Sequence, residues 1–327
     1  MIGRVVSLWR YPVKSMQGEV LDAAFVGERG LIGDRAFALL DVETSKIASA
    51  KSPRMWPNLL DFYATYVEPP RVDDPLPPVR ITLPDGGHVR SDDATVEDVL
   101  SQATGRKVRL ISSNPKGATF EYYVPDVDGV DPRGSDFYTD FANDLFGTGS
   151  LHDSAPIHLL TTATLGQLRS LYPQGQFDPR RFRPNLVIEP TEDQAGFVEN
   201  VWLKRVLSIG QAHVRITFPM LRCVMTTLPQ AGLPRDVGIL RTAARHNRLQ
   251  VLNIGEFPCI GVGGLVRQPG MIRGGDSVAF ADDKPFDEVV GDDGSFVRDE
   301  QRRRPQFNSH QSSETKVDGG HHEEVGI

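Results

Sequence analysis

Short runs of alternating apolar and polar residues recur along the first 280 positions and predict a protein built mainly from β-strands. Glycine and proline separate these runs, as turns between strands require. The predicted strands cover residues 5–12, 36–40, 107–111, 186–188, 202–203, 206–209 and 214–218. Many short strands and few helices indicate an α+β protein, mainly β, that is centred on a β-barrel.

Helical spacing of apolar residues appears in three places, each after a residue that can cap a helix. Thr95, Thr162 and Asp236 are these capping residues, and Gly105 is expected to end the first helix. A fourth, short helix is predicted from the apolar positions 137, 141, 145 and 146. Residues 114–136 are polar and rich in glycine, which predicts a solvated loop.

Composition narrows the class of protein. The 327 residues are 39% hydrophobic and 24% charged, with a formal net charge of -7, which disfavours a broad nucleic-acid surface. Two cysteines cannot form a disulfide scaffold, a four-cysteine zinc site or a four-cysteine iron–sulfur cluster. Because no apolar run approaches the ~20 residues that span a bilayer and no signal peptide is evident, we expect a cytoplasmic protein without a membrane segment.

The main chemical signal lies between residues 180 and 227. The segment RRFRPNLVIE joins three arginines and Asn185 to an apolar run, and LRCVMTT places Cys223 between Arg222 and two threonines. A thiolate is a soft metal ligand, and a neighbouring guanidinium favours its ionised form. Arginines and hydroxyls bind phosphate. The alternative is that Cys223 is a buried small hydrophobic residue.

Other polar positions have both a structural and a functional interpretation. Lys14 and Ser15 follow Pro12 and form either a solvated turn or an anion site. Arg35 lies among glycines and either pairs with Asp34 at the surface or reaches a phosphate. His152 and His158 do not have the spacing of a zinc site, so metal binding there is the minority interpretation.

Five segments together resemble the MOSC domain family, named for the C-terminal domain of molybdenum cofactor sulfurase. WRYPVKSMQGE and GLIGDRAFALLD are similar to the β-rich N-terminal domain that accompanies it, while RFRPNLVIE, RCVMTT and GMIRGGDSV are similar to the MOSC domain itself. The similarity is greatest to the amidoxime-reducing branch of the family, which has mitochondrial and bacterial members. It implies an N-terminal domain over residues 1–115 and a MOSC domain over 116–285. Residues 286–327 are charged with few large apolar residues, which predicts a flexible tail.

The resemblance also implies a function: reduction of N-hydroxylated compounds by a bound molybdenum cofactor. Cys223 would be the catalytic residue and the molybdenum ligand. The implied cofactor-binding residues are Lys14, Ser15, Arg35, Ser154, Arg183, Asn185, Arg222, Thr226 and Thr227. A small N-hydroxylated substrate is expected, and a separate ferredoxin-, flavoprotein- or cytochrome-type protein would supply the electrons. Binding of pyridoxal phosphate is not expected.

Two alternatives remain open from the sequence. The protein could carry sulfur as a persulfide on Cys223, or carry the molybdenum cofactor without turnover, since a reactive thiolate suits both roles. It could also be a non-catalytic barrel module with a structural cysteine.

Overall fold

A computed structural model describes residues 1–127, 136–141, 151–152, 154–192 and 194–281. Nineteen strands and three α-helices are found among these residues. In chain order, strands β1 to β19 are Gly3–Arg10, Glu19–Leu21, Ala23–Gly27, Gly30–Leu31, Ala38–Asp41, Tyr63–Tyr66, Val79–Thr82, His88–Arg90, Val108–Ile111, Thr119–Val124, Asp136–Phe141, Ile157–Thr161, Leu186–Pro190, Val206–Ile209, Ala212–Leu221, Arg248–Val251, Gly255–Gln268, Gly270–Arg273 and Ser277–Phe280. Helices α1 to α3 are Val96–Thr104, Thr162–Leu171 and Gly238–His246.

Seven strands form a closed barrel, as the strand pattern of the sequence predicts. Their order is β12–β13–β1–β19–β14–β15–β17, and pairing of β17 with β12 completes the circle. The β12–β13 pair is parallel and the other six are antiparallel. Inward-facing Leu8, Ile157, Ile188, Leu207 and Val262 are fully buried in one apolar core. Closure leaves these strands with no unpaired edge, which protects the sheet from pairing with other chains.

The first strand belongs to this barrel although it lies far along the chain from the other six. β1 pairs with β13 on one side and with β19 on the other, and β3 pairs with β18. Smaller sheets, β5–β9 and β6–β7–β8, pack with α1 around a second apolar core. The predicted division at residues 115 and 116 stays a prediction about sequence modules, because in space β1 lies among the strands of the later residues.

The three predicted helices are present with small changes at their ends, although the side chain of Thr95 makes no capping hydrogen bond at the start of α1. Gly105 ends α1 in the left-handed region, with φ of 70°. Thr161 rather than Thr162 caps α2, since its hydroxyl accepts a hydrogen bond from the amide of Thr164. The Asp236 carboxylate accepts one from the amide of Gly238, the first residue of α3.

Three predictions of secondary structure were wrong. The predicted loop and the helix expected from Phe137 instead contribute β10 and β11, which pair as an antiparallel hairpin. Cross-strand contacts explain the difference, because Tyr123 and Phe137 lie 4.7 Å apart and Tyr122 and Tyr138 5.7 Å apart between ring centroids. The predicted strand at 202–203 is the end of a 3-10 turn, Val198–Trp202.

Some expectations fall outside the described residues, namely the remainder of the helix expected up to residue 146 and the tail over 286–327. In the described part of the chain, no helix combines the length and apolarity needed to cross a bilayer. The cytoplasmic location stays a prediction.

Candidate functional site

One cavity of about 330 Å³ brings together nearly all the predicted site residues. They come from loops after β1 and β4, from the approach to β12 and β13, and from the end of β15. Nine of the ten line it: Lys14, Ser15, Arg35, Ser154, Arg183, Asn185, Arg222, Cys223 and Thr226. Thr227, the tenth, is buried and is not part of the lining.

The two cysteines have different surroundings, and both are free thiols. Cys223 is half-buried on the cavity wall, two residues after β15 and directly before the 3-10 turn Val224–Thr227. Cys259 is fully buried in β17, donates to the carbonyl of Phe257 at 3.2 Å, and has a pKa raised to about 12 by burial. Of the two, Cys223 is therefore the thiol that a reactant in the cavity can reach.

The two threonines after Cys223 stabilise the turn that presents it. The hydroxyl of Thr226 donates to the carbonyl of Cys223 at 3.0 Å, and that of Thr227 donates to the carbonyl of Val224 at 2.8 Å. These bonds fix the backbone around the cysteine. The role of Thr227 is thus structural in its described contacts, whereas Thr226 also faces the cavity.

Lys14 and Ser15 form another part of the cavity wall. The ammonium of Lys14 donates to the carbonyl of Leu151 at 3.0 Å. Ser15 has a left-handed backbone, with φ of 64°, and its hydroxyl accepts from the amide of Ala50 at 3.1 Å. Both are buried, so the interpretation as a solvated turn is excluded.

Asp34 organises the residues around Arg35. Its fully buried carboxylate accepts hydrogen bonds from Arg35, from the amide of Tyr11 at 2.8 Å, from Asn185 Nδ2 at 2.9 Å and from His152 Nε2 at 3.1 Å. Burial opposes ionisation, but the charge of Arg35 and the bond from His152 outweigh it, and the pKa of Asp34 lies below its usual range. The pair with Arg35 is therefore a buried one.

Arg35 and Arg183 share one aromatic neighbour. Their guanidinium carbons lie 4.5 and 4.2 Å from the centroid of Tyr11, within the range of cation–π attraction. Arg35 also donates to the carbonyl of Arg183 at 3.2 Å, and Arg183 donates to that of Met16 at 2.5 Å. Both arginines have left-handed backbones, with φ of 47° and 55°, a conformation that the surrounding contacts must stabilise. The two charges are thus held in fixed positions.

Asn185 and Arg222 use their polar atoms mostly within the protein. The Asn185 amide donates to Asp34 and to the carbonyl of Trp9, and accepts from the amide of His158. Arg222 donates to the carbonyls of Ile260 and Phe182 and to a histidine ring. Burial lowers the pKa of Arg222 to about 10, so it stays charged at neutral pH. Asn185 orients its neighbours, while Arg222 contributes mainly charge to the cavity.

Two family models match the chain, and both matched regions contribute residues to this cavity. The MOSC N-terminal beta barrel domain matches residues 2–69, and the MOSC domain matches residues 147–279, together more than half of the chain. The protein belongs to the MOSC domain family. Lys14, Ser15 and Arg35 lie in the first matched region, and Ser154, Arg183, Asn185, Arg222 and Cys223 lie in the second.

Curated relatives of this MOSC protein are distant. It is 23% identical to mitochondrial amidoxime-reducing component 1 of Homo sapiens over 85% of this chain and 82% of the relative. It is 24% identical to mitochondrial amidoxime reducing component 2 of Rattus norvegicus over 71% of this chain and 69% of the relative. A solved structure, the YUAD protein of Bacillus subtilis, aligns with a TM-score of 0.40 at 10% identity, over 85% of this chain and 94% of that one.

Sequence reasoning did not assign to the site three residues that line the MOSC cavity or support its lining residues. Lys51 lines it, and the ammonium groups of Lys51 and Lys14 lie 4.7 and 5.9 Å from the centroid of Phe120. Arg181, only 1% exposed, donates to the carbonyls of Gln176, Thr226, Leu228 and Pro234 and so holds the loop after the cysteine. The third is Asp34, which the sequence suggested only as a partner of Arg35.

Proposed function

We propose that this MOSC protein binds a molybdenum cofactor and reduces small N-hydroxylated compounds. The observation that carries the proposal is the half-buried Cys223 thiol on the wall of a cavity lined by cations from both matched regions. The names of the curated relatives, amidoxime-reducing components, support the same reaction class.

The chemistry of the lining fits an anionic organic cofactor with a soft metal. Among the described lining residues, six side chains are cationic and one, Asp140, is a carboxylate. The six are Lys14, Arg35, Lys51, Arg181, Arg183 and Arg222. In the described part of the chain, no three His, Cys, Asp or Glu residues could together hold a metal ion. A single thiolate suits a metal that arrives with its own organic ligands, and guanidinium and ammonium groups suit a phosphate.

Each residue then has a role that its contacts support. Lys14, Ser15, Arg35 and Arg183 would hold the anionic groups of the cofactor, with Ser154 and Thr226 as polar neighbours. Asn185 keeps Asp34 and the start of β12 in place, and Arg222 adds positive charge near the sulfur. Cys223 would supply the thiolate ligand. When bound, the cofactor supplies two-electron transfer, while the protein provides binding and orientation.

The electrons must come from another protein under this proposal. Two cysteines, one of them buried, cannot ligate an iron–sulfur cluster of four cysteines. A ferredoxin-, flavoprotein- or cytochrome-type donor would therefore deliver electrons to the cavity.

Replacement of each cysteine tests the proposal. Cys223→Ala should lose bound molybdenum and reductase activity towards a simple amidoxime, and Cys259→Ala should retain both. Molybdenum is measured by elemental analysis of protein from a host that makes the cofactor, and folding by circular dichroism. A folded Cys223→Ala variant with undiminished molybdenum and activity would overturn the assignment.

A carrier of sulfur or of the cofactor is the second candidate, because the exposure of Cys223 also suits a thiol that passes on a group. The same preparations distinguish it. Cyanide-releasable sulfur on wild-type protein, absent from Cys223→Ala and accompanied by no reduction of N-hydroxylated compounds, would favour the sulfur carrier. Bound cofactor that is handed to an acceptor protein without any turnover would favour the cofactor carrier.

A further inference from the structure

His158 connects several residues of the cavity wall. It is the second residue of β12, is 3% exposed and lines the cavity. Its backbone amide donates to the side-chain oxygen of Asn185 at 3.0 Å, and its backbone carbonyl accepts from the backbone amide of Asn185 at 2.8 Å. These two hydrogen bonds join the backbone of His158 to Asn185, whose side chain also binds Asp34.

The hydrogen bonds of the ring determine its tautomer. Nε2 lies 2.6 Å from the Arg222 guanidinium, which can only donate, so Nε2 must be the unprotonated acceptor. Nδ1 lies 3.3 Å from the carbonyl of Arg183, which can only accept, so Nδ1 carries the hydrogen. Burial and the charge of Arg222 both lower the pKa of His158 well below 6.5, in agreement with a neutral ring.

The facing strand leaves room for this ring. Gly261 in β17 has φ of +79°, and a Cβ there would lie 2.5 Å from His158 Nε2. A side chain at position 261 would therefore push the imidazole away from Arg222. The ring of His158 therefore occupies the space that a side chain at position 261 would need, so this packing requires a glycine there.

We propose that His158 is a positioning residue that, as a neutral acceptor, holds the Arg222 guanidinium in the wall of the cavity that Cys223 also lines, and so makes the sulfur selective for anionic reactants. The other described acceptors of Arg222 are the carbonyls of Ile260 and Phe182. Loss of the ring nitrogen would leave a buried guanidinium N–H unpaired, which favours movement of the side chain. The inference goes beyond the proposed function, because it concerns the thiol itself and holds whichever anion the cavity takes.

The test compares two alkylating reagents of similar size and different charge. Iodoacetate is an anion and iodoacetamide is neutral, so the ratio of their rate constants reports the local positive potential at the sulfur. The full-length chain is produced in a host that makes no molybdenum cofactor, and mass spectrometry of peptides assigns the reaction to Cys223. Cys259 is buried and provides an internal check that the protein stays folded.

Two amide substitutions at position 158 test the two hydrogen bonds of the imidazole ring separately. His158→Gln extends far enough to keep an acceptor at the position of Nε2, whereas His158→Asn keeps a donor for the Arg183 carbonyl but is too short to reach Arg222. We expect the iodoacetate-to-iodoacetamide ratio to fall about 3- to 10-fold in His158→Asn, the size expected when one nearby charge moves away from the sulfur at intermediate dielectric. His158→Gln should stay within about twofold of wild type, and Arg222→Gln should match His158→Asn.

Equal ratios in the Gln and Asn variants, or a wild-type ratio in the Asn variant, would overturn the inference. If His158→Asn does not fold, the nitrogen-15 shifts of the wild-type ring at neutral pH provide the second measurement. A protonated Nδ1 and an unprotonated Nε2 are expected, with the signals assigned by their loss in His158→Gln. The opposite tautomer or an imidazolium would contradict the proposal.

Discussion

The cations of the cavity are held in two chemically opposite ways. On the carboxylate-held wall, Asp34 binds Arg35, with Asn185 and His152 as further donors. On the imidazole-held wall, neutral His158 and main-chain carbonyls bind Arg222. The carboxylate of Asp34 neutralises Arg35 locally, whereas the neutral acceptors of Arg222 do not, so Arg222 adds net positive charge to the cavity that Cys223 also lines. The comparison shows that one buried positive group can be fixed either by an opposite charge or by oriented neutral acceptors.

Loss of the carboxylate should have the largest effect. Asp34→Asn keeps the shape of the side chain but leaves the half-buried Arg35 without its counter-charge, and it offers the remaining donors only one carbonyl acceptor. We expect the free energy of unfolding to fall by about 3–5 kcal/mol, the usual cost of breaking a buried ion pair. Urea denaturation measures the change. Asp92→Asn is the matched control, because Asp92 pairs with Arg90 at the exposed surface and should change stability little. Similar losses in both variants would contradict a special role for Asp34.

Acid should weaken the imidazole-held wall first. The pKa of His158 is lowered in the folded protein. Below pH 6.5 the imidazole therefore binds a proton in the unfolded chain but not in the folded protein, which favours unfolding. Relative to His158→Gln, the wild type should lose up to about 1.4 kcal/mol of unfolding free energy per pH unit below 6.5. Asp34, with its lowered pKa, contributes stability that is lost only as the pH falls below its ordinary value of 3.8.

Urea denaturation of both proteins between pH 7.5 and pH 5 measures this difference. Parallel curves of unfolding free energy against pH for wild type and His158→Gln would show that His158 binds protons equally in the folded and unfolded states. That result would contradict a neutral His158 on the imidazole-held wall.

The smallest effect is expected behind the cysteine, at Thr227. Thr227→Val removes a hydroxyl that donates to the carbonyl of Val224 and should lower the free energy of unfolding by about 1 kcal/mol. Because Thr227 does not line the cavity, the affinity for inorganic phosphate, measured by calorimetry, should not change. Thr226→Val is the partner variant, since Thr226 makes a similar bond but faces the cavity. Weaker phosphate binding by Thr227→Val would contradict this expectation and favour the cofactor-binding role that the family resemblance implies for Thr227.

Local patterns were sufficient to predict much of the fold. Strand alternation and capping residues depend on neighbours in sequence, and they located β1, β9, β13 to β15 and all three helices. The β10–β11 pairing was missed because residues 114–136 are polar and rich in glycine, and because the contacts that form it, such as Tyr123 with Phe137, join residues that are not neighbours in sequence. Trp202 was misassigned since burial in the barrel core, not local alternation, fixes its conformation.

The site shows the same division between local and distant causes. Motifs identified Cys223, Arg35 and Arg183, whose residue types signal phosphate and metal chemistry. The part played by Asp34 depends on Asn185, which lies 151 positions away, and that of His158 depends on Arg222, 64 positions away. A single sequence carries no record of such pairings, so the supporting residues became visible only in three dimensions.

The position of β1 between β13 and β19 has a consequence for how the protein forms. The strand that includes Gly3 stays without one of its two neighbours until synthesis reaches Phe280, near the end of the described chain. Such distant pairing slows folding and leaves an open sheet edge while the ribosome works. Newly made chains therefore depend on protection from aggregation during that interval, and a fragment that stops before β19 could not complete the barrel.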